Sequence, residues 1–107
     1  MRKTSKLTFA LVMMINLPPL SAGVDAARQA ELLYLLKHDC GSCHGMTRKG
    51  GLGPSLLPDR LHTRPQALLV NTVLDGRPGT PMPPWRGLLS EQDARWLVEV
   101  LLKGGGL

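Results

Sequence analysis

Cys40-Gly41-Ser42-Cys43-His44 is the stretch that decides the fold, because it uses both cysteines of the 107-residue chain and places a histidine directly after the second. Two thiols at this spacing can each add to a vinyl group of one haem, while the adjacent imidazole binds the iron. A zinc site needs about four ligands, and no second cysteine pair exists to supply them. A redox dithiol would normally accompany a βαβ pattern, which is absent. The stretch therefore predicts a haem attached through Cys40 and Cys43, with His44 as an iron ligand.

The first 26 residues have the layout of a secretory signal peptide. Basic residues open the chain, and an uncharged apolar run covers residues 7–17. Small residues follow at Ser21-Ala22-Gly23 and Val24-Asp25-Ala26, and either triplet fits a cleavage site. The apolar run is too short for a membrane anchor, the alternative reading, because a spanning helix takes about 20 residues. We therefore expect a signal peptide at 1–26 and a mature periplasmic domain at 27–107, without stable membrane insertion after cleavage.

The formal charge of +5 belongs partly to the predicted signal peptide. Cleavage after Ala26 leaves ten basic and seven acidic residues, a net charge of +3, and the basic residues are scattered along the chain. This distribution gives no argument for binding nucleic acid, although a weakly basic face could steer an acidic redox partner. The mature chain is also near the lower limit for a self-sufficient apolar core, which a covalent haem would enlarge.

Helix-forming patterns occur at both ends of the mature chain and once in its middle. Strong helix formers with a leucine stripe predict a first helix over 27–37, which Asp25 could cap in the precursor. Apolar residues at helical spacing predict a middle helix over 64–74. A last helix should begin after Ser90, because Ser90 and Asp93 resemble a capping box with Asp in place of the usual Glu.

Glycine and proline interrupt the rest of the chain. The glycines at 104–106 should end the last helix. The segments around Gly50-Gly51, Pro54, Pro58 and 78–84 are predicted to be neither regular helix nor central strand. The sequence shows no alternating strand pattern and no internal repeat. We predict an all-α class with substantial loops.

An iron held by one histidine needs a ligand on its opposite face, and Met46, Met82, His38 and His62 are the candidates. Met46 and His38 lie too near the attachment sequence to reach across. Met82 stands in Gly79-Thr80-Pro81-Met82-Pro83-Pro84-Trp85, where proline fixes φ and stiffens a loop that must hold a weak thioether ligand. We predict that Met82 is the ligand. The alternatives are that Met82 is ordinary core packing, or that His62 binds instead.

The order of these features resembles a small bacterial class I c-type cytochrome over nearly all of the mature chain. After the attachment sequence come Gly53-Pro54-Ser55-Leu56, Leu74-Asp75-Gly76, Met82-Pro83-Pro84-Trp85 and Leu89-Ser90-Glu91. The resemblance implies three or four helices around one covalent haem, with the two terminal helices crossing. It also implies that the carbonyl of Pro54 accepts a hydrogen bond from Nδ1–H of His44. Val100 stands where many members carry an aromatic residue, so we expect a different contact between the terminal helices.

More narrowly, residues 73–85 resemble the small cytochromes encoded with the dissimilatory nitrite reductase of denitrifying bacteria. The resemblance implies an electron carrier and not an enzyme, with redox partners such as nitrite reductase and an upstream electron donor. Ligation by both His44 and Met82 would close the iron to substrates and leave transfer of single electrons. Two alternatives stay open. The protein could assist maturation of the nitrite reductase haem, or it could be an open-site haem sensor or peroxidase-like protein if Met82 does not bind.

Overall fold

The computed structural model describes residues 10–15 and 23–105, and within these ranges it contains helices and loops but no β-strand. The helices are α1 (Ala26–Leu35), α2 (Gly41–His44), α3 (Pro58–Leu61), α4 (Gln66–Asp75) and α5 (Glu91–Leu102). The all-α prediction is confirmed. The basic start of the predicted signal peptide, most of one cleavage triplet and the last of the three terminal glycines lie outside the described residues.

The first helix begins where its predicted cap stands. The side chain of Asp25 accepts a 2.8 Å hydrogen bond from the backbone N–H of Arg28, as an N-cap residue does. The helical path does not end near residue 37, as predicted, but continues through the π-helical segment Leu36–Cys40 directly into α2. It ends after His44, where Gly45 has φ of 90°. The attachment cysteines therefore stand on the continuation of α1.

Two helix boundaries differ from prediction, and both involve proline. The middle helix α4 begins at Gln66 rather than at residue 64, because Pro65 is its extended N-cap with ψ of 140° and a residue before proline avoids the helical region. The prediction that helix is excluded around Pro58 is wrong, because Pro58 opens α3. Proline fits the first position of a helix, where its missing N–H would have no partner and its φ is already helical.

The last helix carries the predicted capping box. The hydroxyl of Ser90 accepts from the N–H of Asp93 at 3.0 Å, and the carboxylate of Asp93 accepts from the N–H of Ser90 at 3.0 Å. Arg28 of α1 donates to the same carboxylate at 2.9 Å. The hydrogen bond from Arg28, above all, holds the pKa of Asp93 below its usual range. The cap therefore also ties α1 to the start of α5.

Aliphatic side chains from α1, α3, α4, α5 and the loops between them form the core. Its buried members are Leu32, Leu36, Leu61, Val70, Leu74, Leu89, Ala94, Leu97, Val98 and Leu101. Val100 is half-buried against this cluster, and α1 contacts α5. Since the cluster is wholly aliphatic, the contact between the terminal helices does not depend on an aromatic residue at position 100. None of the helices among the described residues is both long and apolar enough to cross a membrane.

Candidate functional site

A cavity of about 520 Å³ lies beside the core, within the size range of pockets that bind small molecules and cofactors. Its wall is predominantly apolar and includes core leucines, among them Leu36 of the π-helical segment and Leu97 and Leu101 of α5. All five residues singled out in the sequence lie on this wall: Cys40, Cys43, His44, Pro54 and Met82. The fold therefore brings residues that are up to 42 positions apart in the sequence to one cavity.

The two cysteines are free thiols in different surroundings. Cys40 is half-buried at the end of the π-helical segment, whereas Cys43 is exposed on α2. Burial, with a smaller contribution from the charge of Asp39, raises the pKa of the Cys40 thiol to about 11. A helical path places residues three positions apart on one face, so both thiols can reach the edge of one planar group in the cavity.

His44 is held by a carbonyl group on the next loop. Its Nδ1 lies 2.7 Å from the carbonyl oxygen of Pro54. Because a carbonyl oxygen can only accept a hydrogen bond, this contact requires the proton on Nδ1. Nε2 then has its lone pair free, which is the form of histidine that binds a metal, and the carbonyl fixes the orientation of the ring.

Gly53 makes room for the imidazole. A Cβ built at this position would lie 2.8 Å from both Cε1 and Nδ1 of His44. The loop also folds back onto the end of α2, because the N–H of Gly53 donates to the carbonyl of Cys43 at 2.8 Å and that of Gly50 donates to the carbonyl of His44 at 2.8 Å. Sequence reasoning used Gly53 only as part of a motif, and its contact with the ring depends on the folded loop.

Met82 is half-buried in the loop between α4 and α5, and this loop is tied to the end of α4 by its main chain. The N–H groups of Trp85 and Arg86 each donate to the carbonyl of Leu74 at 3.0 Å, and the N–H of Arg77 donates to the carbonyl of Met82 at 3.2 Å. The first two bonds satisfy the carbonyl of Leu74, which would otherwise lack a partner at the helix end. They hold the Met82 segment at the cavity wall.

The other three candidate ligands lie away from the cavity wall. His38 is exposed and its ring packs on Tyr34, with centroids 4.2 Å apart. His62 follows α3 and is exposed, and the side chain of Met46 is 52% exposed. Of the four side chains weighed as a second ligand, Met82 alone shares the cavity with His44.

Three arginines on the cavity wall were missed by the sequence reasoning. Arg60, Arg64 and Arg77 line the cavity and are exposed, and none of them forms an ion pair with another described residue. Asp39 is the one acidic side chain on the described wall. The excess of positive charge suits a ligand that carries carboxylates. No local signal marks these residues, because only the fold brings positions 60, 64 and 77 to one cavity.

The residues present fit a haem of the c type. The wall offers two thiols at the attachment spacing, an imidazole with Nε2 free, a thioether and an apolar surface, which together match the needs of the iron, the vinyl groups and the porphyrin face. Arginines at the same wall match the two propionates. This donor set can hold a redox centre.

Comparisons with known proteins cover most of the chain. The model of the family described as cytochrome c oxidase, cbb3-type, subunit III matches residues 25–100. Cytochrome c55X of Pseudomonas aeruginosa is 57% identical over 99 residues, which are 92% of this chain and 83% of that protein.

Two solved structures are similar as well. A c-type cytochrome, NirC, has a TM-score of 0.74 and 61% identity, and the match covers 75% of this chain and 94% of that one. Dihydro-heme d1 dehydrogenase NirN in complex with DHE has a TM-score of 0.60 and 39% identity over 64% of this chain. That match covers 15% of the dehydrogenase chain, so the similar part is a small region of a larger protein.

Proposed function

Because the chain belongs to the cytochrome c55X family of c-type cytochromes, we propose that it is a periplasmic carrier of single electrons in the nitrite reductase system of denitrification. Proteins of this kind carry haem c and are electron carriers rather than enzymes. The observation that supports the proposal most directly is the apolar cavity whose wall includes Cys40, Cys43, His44 and Met82.

A single covalent haem is the cofactor that we propose for this cavity. Cys40 and Cys43 would form its two thioethers, and His44 and Met82 would be the axial ligands of its iron. When bound, the haem supplies a one-electron couple between ferrous and ferric iron. Thioether bonds would also prevent loss of the cofactor from so small a core.

Residues around the proposed haem would influence its ligation and its reduction potential. The carbonyl of Pro54 keeps the proton on Nδ1 of His44 and so keeps Nε2 available to the metal. A thioether from Met82 would favour ferrous iron and raise the reduction potential, and the apolar wall would give the group largely apolar surroundings. With His44 and Met82 both bound, the metal would have no site left for a substrate. Cys43 is exposed, so the attached edge would be accessible to a redox partner.

We also propose that residues 1–26 are a signal peptide and that the domain at 27–107 works in the periplasm. Two observations support this division. The apolar side chains of residues 11–15 are 78 to 88% exposed and so do not pack on the domain, and the family match begins at residue 25. Cleavage after Gly23 would keep the Asp25 cap of α1, whereas cleavage after Ala26 would remove it. The intact mass of the exported protein distinguishes the two sites.

Met82→Ala tests the proposal, with Met46→Ala as the matched control because Met46 is exposed and away from the cavity wall. Met82→Ala should abolish the sulfur-to-iron charge-transfer band of the ferric protein, lower the reduction potential and admit CO to the ferrous iron. Met46→Ala should leave all three unchanged. If the band and the spin state survive in Met82→Ala, Met82 is not the ligand. A wild-type protein that is high-spin and binds CO rapidly would instead be an open-site sensor.

The similarity to dihydro-heme d1 dehydrogenase favours a second candidate function, in maturation of the nitrite reductase haem. Dehydrogenation of dihydro-haem d1 releases two electrons and two protons. Two molecules of a one-electron carrier could take the electrons while the protons pass to solvent. Stopped-flow spectroscopy separates the two candidates. Reduced protein that transfers electrons to nitrite reductase supports the first, whereas oxidised protein that reacts only with the dehydrogenase and its substrate supports the second.

A further inference from the structure

Gly76 lies between the end of α4 and the loop that carries Met82. Its backbone has φ of 67° and ψ of −166°, a region that is essentially restricted to glycine. A Cβ built at this position would lie 2.7 Å from the carbonyl oxygen of Met82, 2.7 Å from the carbonyl carbon of Pro83 and 2.8 Å from the nitrogen of Pro84. All three neighbours are backbone atoms, so no side-chain rotation could relieve the overlap.

The backbone of residues 82–84, opposite Gly76, is too rigid to move easily away from an added side chain. Pro81, Pro83 and Pro84 surround Met82, and each fixes its own φ angle. After these prolines, the N–H groups of Trp85 and Arg86 donate to the carbonyl of Leu74 at the end of α4, and between them the carbonyl of Met82 accepts from the N–H of Arg77. A displacement at Gly76 would therefore move the Met82 segment as a unit, away from the helix and away from its place on the cavity wall.

We propose that Gly76 is a positioning residue for Met82. By having no side chain, it lets the backbone of Met82 lie directly against the end of α4, and this contact determines how firmly the thioether is presented to the iron. The inference rests on the proposed function, in which Met82 is the axial ligand. A thioether is a weak ligand, so its occupancy depends strongly on where the loop holds it.

Gly79 provides a matched control within the same loop. It also has positive φ, at 78°, but a Cβ built there meets no atom within 4 Å. Alanine at either position therefore suffers backbone strain from positive φ. Only alanine at position 76 also collides with the Met82 segment. Gly79→Ala therefore controls for positive φ within this loop.

The experiment compares wild type, Gly76→Ala and Gly79→Ala as holoproteins. The readouts are the sulfur-to-iron charge-transfer band, the reduction potential and the affinity of the ferric protein for imidazole. Imidazole competes with the thioether, so a tenfold rise in the fraction of protein with Met82 detached gives about tenfold tighter apparent binding. We expect Gly76→Ala to weaken the band, lower the potential and bind imidazole at least about tenfold more tightly. Gly79→Ala should resemble wild type.

If Gly76→Ala accumulates poorly, the double variant with Gly76→Ala and Met82→Ala tests the inference. In the Met82→Ala background there is no thioether to position, so displacement of the loop detaches no ligand. Gly76→Ala should then change imidazole affinity and holoprotein yield little, which is the non-additivity expected for two coupled residues. If the double variant fails to accumulate although Met82→Ala does, Gly76 has a general folding role and the inference is wrong.

The remaining outcomes separate this inference from the proposed function. A wild-type protein without the charge-transfer band would overturn the assignment of Met82 itself. If wild type and Met82→Ala behave as proposed, but Gly76→Ala keeps the band, potential and imidazole affinity of Gly79→Ala, then Gly76 does not position Met82.

Discussion

The carbonyl oxygen of Pro54 lies 2.7 Å from Nδ1 of His44, ten residues earlier in the chain. The two residues stand on either side of a loop that folds back onto the end of α2 through main-chain hydrogen bonds. The carbonyl of Pro54 thus determines both which nitrogen of His44 carries the proton and how the ring is oriented. This arrangement makes the imidazole sensitive to small changes in the loop.

Gly53→Ala should weaken the binding of His44 to iron. The added Cβ would lie 2.8 Å from the ring and would push it from the carbonyl of Pro54, and loss of such an outer partner typically costs tenfold or more in metal affinity. Urea titration of the ferric spectrum measures this, because displacement of the histidine ends the low-spin form. The transition should occur at a lower urea concentration in the variant. Gly87→Ala, where a Cβ meets nothing within 4 Å, is the control. An equal transition in both variants would contradict the prediction.

Each cysteine should hold the haem by one thioether when the other is removed. We expect Cys40→Ala and Cys43→Ala to keep covalent haem, with a pyridine haemochrome band between those of haem c and haem b because one vinyl group stays unsaturated. The double variant should release its haem to acidified acetone. Intact mass spectrometry checks the attachment. A single variant with an unchanged haemochrome band would show that the removed thiol forms no thioether.

Leu32 should contribute far more to stability than its neighbour Leu33. Leu32 is fully buried in the core, whereas Leu33 on the same helix is 37% exposed. Leu32→Ala should lower the free energy of unfolding by about 2–5 kcal/mol because it leaves a cavity. Leu33→Ala should lower it by less than about 1 kcal/mol. Urea denaturation of the two holoproteins gives both values, and similar losses would mean that α1 packs differently.

Asp93→Asn should remove part of the pH dependence of stability. The hydrogen bond from Arg28 holds the pKa of Asp93 below its usual range in the folded protein, so the carboxylate stabilises the fold at neutral pH. This contribution is lost as the pH falls below about 4 and the group is protonated. Wild type should therefore be more stable than Asp93→Asn at pH 7, and the difference should shrink in acid. Urea denaturation at several pH values measures it, and a difference that stays the same in acid would contradict the prediction.

The helices were predictable to the extent that local chemistry defines them. The Ser90 and Asp93 capping box is visible in the sequence and is present in the structure. The missed helix at Pro58 and the late start of α4 both follow from proline, which suits the first turn of one helix and caps another. The continuation of α1 through a π-helical turn could not be predicted, because His38, Asp39 and Cys40 are weak helix formers and no local pattern marks a π-helical turn.

The sequence by itself determined the chemistry of this protein. The spacing of Cys40, Cys43 and His44 predicts a covalent haem, because attachment and ligation of this kind depend on residue type over one short helical stretch. Only the tertiary structure decided which distant side chains join them. It places Met82 at the cavity and leaves His62 outside, and it brings Gly53 against the ring of His44 and Gly76 against the backbone of the Met82 segment. The two glycine contacts form only when the loops fold, because each depends on the absence of a side chain at a close approach, and no local pattern records them.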